Sequence, residues 1–146
     1  MTLEILERRL PDYYRELHIL RDEIIQIVPH YKAIVYRNQI PPDYGNFSIE
    51  LTILNTRVDW RIHGEEEATI CALATGFNRA THYSVDFDIS KHISPLIDPL
   101  RFAIPHDAPV AEQDELFNHA LVEGIQYFRD NRDFMISAMS ETRFDQ

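Results

Sequence analysis

His82-Tyr83-Ser84-Val85-Asp86-Phe87-Asp88-Ile89 alternates apolar and polar residues without interruption. That period of two predicts a strand with Tyr83, Val85, Phe87 and Ile89 on one face and His82, Ser84, Asp86 and Asp88 on the other. One face belongs to a core and the other meets water, the habit of an antiparallel sheet. Upstream, ATICALATGF at 68–77 is apolar or small at nearly every position and reads as a neighbouring strand that another backbone approaches closely.

Further upstream, residues 48–63 read as a hairpin turning at Asn55-Thr56. With Leu54 opposite Arg57, Ile53 meets Val58, Leu51 meets Trp60 and Ile49 meets Ile62 on the apolar face. Glu50 meets Arg61 on the polar one. YKAIVYRN at 31–38 supplies a first strand, separated from this hairpin by the turn-rich loop IPPDYGN.

Helices are expected at both ends of this sheet. Leu3, Leu6, Leu10, Tyr13, Leu17, Leu20, Ile24 and Ile27 recur at alternating spacings of three and four, a narrow apolar seam along residues 1–28. Pro11 either kinks this helix or sits in the first turn of a shorter one, and Pro29 ends it. Residues 92–109 carry Pro95, Pro99, Pro105 and Pro109, which predicts at most short helical turns, one of them starting at Asp98-Pro99. A closing helix begins near Ala111, with Glu112, Asp114 and Glu115 in its first turn and Phe117, Leu121, Gly124 and Phe128 as its buried stripe. Met135 and Met139 continue that stripe. The predicted fold is α+β: an antiparallel meander of four to five strands, with a long N-terminal and a C-terminal helix packed on it, in one domain over 1–146.

Composition excludes several classes. The 146 residues hold 45% hydrophobic residues, enough for a core, and no apolar run approaches the roughly 18 residues of a membrane span. The opening residues lack the pattern of a signal peptide, and the single Cys71 allows no internal disulfide, so a reducing cytoplasm is expected. With 24 acidic against 14 basic residues the net charge is −10, and no Lys/Arg cluster offers a phosphate-binding surface. Nucleic acid and anionic membranes are therefore not expected partners. Half of the acidic excess falls in residues 111–146, which hold eight acids and three bases.

The densest grouping of chemically capable side chains is His82, Asp86, Asp88 and His92. Imidazole and carboxylate can hold a divalent metal or share acid–base work when they converge. Residues two apart on a strand stand nearly 7 Å apart, however, which is wide for ligands of one ion, so neither a metal nor another cofactor is expected there. The two His-x-Ser triplets at 82–84 and 92–94 are too close in sequence to flank one phosphate from separate halves of a fold. Cys71 lies in the most apolar stretch, where a thiol fills core, and four glycines form no phosphate-cradling loop.

The expected function is therefore binding without catalysis: a small acidic domain, of prokaryotic or phage type, that engages another protein, such as a basic one, as an inhibitor, immunity protein or secretion chaperone does. One alternative is a hydrolase using the His82, Asp86, Asp88 and His92 face. Another is a small-molecule binder whose pocket is lined by aromatics such as Tyr31, Tyr36, Tyr44, Phe47, Trp60, Phe77, Tyr83 and Phe87. A homodimer is expected through the N-terminal seam, which is two positions wide per heptad.

Overall fold

The structure, a computed structural model, describes residues 2–28, 31–39, 47–55, 67–76, 81–91 and 94–140. Its elements are α1 (Thr2–Ile27), β1 (Tyr31–Gln39), β2 (Phe47–Asn55), β3 (Glu67–Gly76), β4 (His82–Asp88), β5 (Ser90–Lys91), β6 (Ser94–Pro95), β7 (Leu100–Pro105), α2 (Val110–Asp130) and α3 (Arg132–Ser140). The class is α+β. Five strands form an antiparallel sheet in the order β1-β2-β3-β4-β7, and β5 and β6 form a separate two-stranded ribbon between β4 and β7.

The expected segments 31–38, 48–54, 68–77 and 82–89 supply strands of this sheet, but 48–54 is not paired as expected. Leu54 of β2 lies opposite Lys32 of β1 and Glu67 of β3, so both edges of β2 are taken. A strand has only two edges, and the hairpin placing Leu54 against Arg57 and Glu50 against Arg61 is not formed. Alternating ladders are permissive: the apolar face of 48–54 can be matched by more than one partner segment. Residues 56–66, including Trp60, and His92 lie outside the described residues. Cys71 takes its place in β3 opposite Leu51.

A second correction concerns the proline-rich stretch. It forms no helical turn at Asp98-Pro99 but contributes β6 and the edge strand β7. Leu100, Phe102 and Ile104 alternate there with Arg101, Ala103 and Pro105. A proline is tolerated at the end of a strand whose other edge needs no hydrogen bond.

Both long helices cover one face of the sheet. Ile49, Leu51, Val85, Phe87 and Ile104 meet Tyr13, Leu17, Leu20 and Ile24 of α1, Phe117, Ala120 and Phe128 of α2, and Met135 of α3. The α1 seam over Tyr13–Ile24 is thus buried inside its own fold, not against a second copy, while Ile27 is exposed. Pro11 lies inside the continuous helix on its solvent side, where the lost backbone bond is easiest to offset with water.

Because the sheet has five alternating strands, β1 and β7 run the same way. Each helix runs back along its adjoining edge strand, so α1 and α2 are parallel. Ion pairs mark their register, Arg8 with Asp114 and Glu16 with Arg129, and Glu23 continues the series to Arg132 of α3. The close approach of α2 to β4 depends on Gly124, since a Cβ there would overlap the Phe87 ring. That ring meets Tyr13, Phe102 and Phe128 at centroid separations of 6.3, 6.2 and 5.9 Å.

The β7–α2 connection is fixed by one side chain. Gln113, buried in the first turn of α2, donates from Nε2 to the carbonyls of Pro105, His106 and Ala108 at 3.3, 3.0 and 2.9 Å. Asn131 separates α2 from α3, returning its Nδ2 to the Tyr127 carbonyl at 2.8 Å. No described helix is long and apolar enough to cross a membrane.

Candidate functional site

The polar face of β4 looks away from the helices, as the alternation of 82–89 predicts. His82, Ser84, Asp86 and Asp88 are half-buried, while Val85, Phe87 and Ile89 are fully buried behind them. Cross-strand register sets their surroundings. Ser84 faces Ala103, Asp86 faces Arg101 and His82 faces Pro105, and together these strands border an open groove of about 440 Å³.

Register also brings in Glu50. One row across the sheet reads Tyr36, Glu50, Ala72, Asp88; the next reads Asn38, Ser48, Ala74, Asp86, Arg101. Glu50 and Asp88 are two strand spacings apart, about 10 Å, across an alanine position. Nothing in the linear sequence joins them, because the row is created by the β2–β3–β4 pairing. Burial pushes the Asp88 carboxyl above its ordinary range, and the Arg101 guanidinium opposes that shift in part. The Tyr127 phenol, which donates to the Asp98 carbonyl at 2.8 Å, is likewise raised by burial, with the Asp88 and Asp98 charges adding to it.

This geometry limits the chemistry. Among the described residues, no three His, Cys, Asp or Glu side chains converge as a metal site. His82 Nδ1 is engaged by the Thr81 hydroxyl at 3.0 Å. Ser84 sits between His82 and Asp86 along the strand, whereas nucleophile activation needs the imidazole between the hydroxyl and the carboxylate. The groove itself is of mixed charge, bordered by His82, Asp86 and Arg101.

A second concavity, of about 280 Å³, lies on the opposite side of the molecule between α1 and α2. Tyr13, Leu121 and Ile125 contribute to it, with Asp12 and Glu16 on one bank and Val122 and Arg129 on the other. Val122 is 60% exposed. It lies off the Phe117-Leu121-Gly124-Phe128 stripe, and an apolar residue on the polar side of an amphipathic helix is the sequence signal that marks this groove. On the α2–α3 side of it the charge is one-sided. Residues 110–140 contain two basic residues, Arg129 and Arg132, and these are held by Glu16 and Glu23 of α1. Glu112, Glu115, Glu123, Asp130 and Asp133 are all exposed.

Comparison with known proteins adds no relative to this picture: no protein-family model matches the chain, and no curated protein or solved structure is detectably similar to it.

Proposed function

We propose that this chain is a non-enzymatic protein-binding domain that receives a basic segment of another protein on the outer surface of its helices. The observation that carries this reading is the exposed Val122 beside the α1–α2 groove, set among acids of α2 while Arg129 and Arg132 are engaged by Glu16 and Glu23 of α1. Apolar anchors ringed by charge are how small interfaces combine affinity with steering. Inhibitors, immunity proteins and secretion chaperones use acidic surfaces in this way, and the single cysteine suits a reducing cytoplasm.

A photo-crosslinking residue at Val122, with a second at Ala103 on the open sheet face as control, tests this in extracts of the source cells. Capture of a basic protein from position 122, lost at high salt and on Glu115→Lys/Glu123→Lys exchange, is the expected result. Equal capture from both positions, or none, overturns it.

A second reading rests on the β4–β7 groove, where Asp86 and Arg101 face each other beside His82 and Ser84. That arrangement suits a small polar ligand. Backbone amide shifts confined to β4 and β7 on titration with small carboxylates or amines support it, and shifts spread over the whole surface reject it.

A further inference from the structure

The sheet has two edges, and they are not alike. β7 is six residues long, follows Pro99 and ends in Pro105, features that discourage strand addition. β1 is nine residues long and contains no proline. It has β2 on one side and, among the described residues, no strand on the other. Ile34, near its middle, is 48% exposed. A long edge with an exposed apolar centre is a template for a further strand.

The helix above this edge continues the surface. Asp12 and Glu16 of α1 face α2, and Glu23 faces Arg132 of α3. The opposite flank therefore carries Tyr14, His18, Arg21 and Ile25, a half-buried stripe at helical spacing on the β1 side.

We propose that two copies of this chain pair antiparallel through β1, with Ile34 of one copy opposite Ile34 of the other, to form a continuous ten-stranded sheet. In that register Lys32 stands opposite the Tyr36 position, so the basic positions of the strand do not meet. Because α1 runs antiparallel to β1, the two α1 helices also lie antiparallel, flank to flank. Ile34 is about 10 Å into β1, and α1 reaches the same level about 10 Å before its end, near Arg21. Arg21 is paired with Asp22 at 2.8 Å. The axis thus brings two Arg–Asp pairs together, four charges that sum to zero. Seven paired residues span about 23 Å, and a sheet plus a helix layer stands about 20 Å tall. That corresponds to about 500 Å² per copy, the scale at which a specific interface begins.

Sedimentation equilibrium of the full chain gives the first reading: the expected mass at high micromolar concentration is twice 17.2 kDa. Ile34→Lys, at a position exposed in one copy, leaves the circular dichroism unchanged and weakens the dimer about tenfold or more. In a Cys71→Ala background, Ile34→Cys forms an intermolecular disulfide faster than Val122→Cys does. A monomer throughout, a dimer indifferent to Ile34→Lys, or cross-linking no faster at 34 than at 122 overturns the proposal.

Discussion

The two faces of β4 belong to one seven-residue strand yet live in different solvents. Val85 and Phe87 are 0% exposed beneath two helices, while Ser84, Asp86 and Asp88 remain half in water. On the inner face, shape decides what a position tolerates, because close-packed surroundings respond to a single methyl group. On the outer face, charge and hydrogen bonding decide, and water stands in for many lost contacts. Close packing and solvation are thereby separated by the thickness of a strand.

The largest test of this contrast is Phe87→Ala, which removes a fully buried ring against Tyr13, Phe102 and Phe128. The expected loss is about 3 to 5 kcal/mol in denaturant unfolding. A loss below about 1 kcal/mol would mean that the inner face repacks freely.

Next in size is Gly124→Ala. Helix propensity alone favours alanine by about 1 kcal/mol. Here the added methyl meets the Phe87 ring, so overpacking dominates and a net destabilisation of about 1 to 3 kcal/mol is expected. A stabilised variant would show that the helix and the strand are not in close contact.

On the outer face Ser84→Ala should change stability by no more than about 0.5 kcal/mol. A larger loss would place that hydroxyl in a structural network.

The smallest effect is a matter of sign. Burial raises the Asp88 carboxyl, and Arg101 only partly opposes this. The folded state therefore holds its proton more tightly than the unfolded chain does. Stability falls as pH rises from the ordinary carboxylate range through the native value, and the ionised form remains a small liability above it. Asp88→Asn should gain on the wild type in thermal melts as pH climbs from about 3 to 7. A gap that shrinks over that range contradicts the assignment.

Legibility in the sequence followed the same divide. Period-two alternation over 82–89 separated the faces of β4, and spacings of three and four located Leu17, Leu20 and Ile24 of α1 and Phe117, Leu121 and Phe128 of α2. These signals are local and arise from burial on one side. Residues 100–105 carry the same alternation, but four nearby prolines obscured it, although an edge strand tolerates them. Complementarity between Glu50 and Arg61 is a pairwise argument and does not reveal the partner of β2, whereas Glu50 shares a row with Asp88 only through the backbone of β3. Of the candidate site, His82, Asp86 and Asp88 were readable. Arg101 and Glu50 required the topology.

The parallel pairing of α1 and α2 has a consequence for synthesis. The sheet grows between strands that follow one another along the chain, so most of it can assemble as it is made. The helix layer cannot, because Glu16 waits for Arg129, 113 residues later. Until the last quarter of the chain leaves the ribosome, the α1 seam has no helix beside it. Loops of this length slow folding. A nascent chain stopped before Val110 would leave the α2-facing flank of α1, with Asp12 and Glu16, in solution, which makes it a segment a chaperone would meet early.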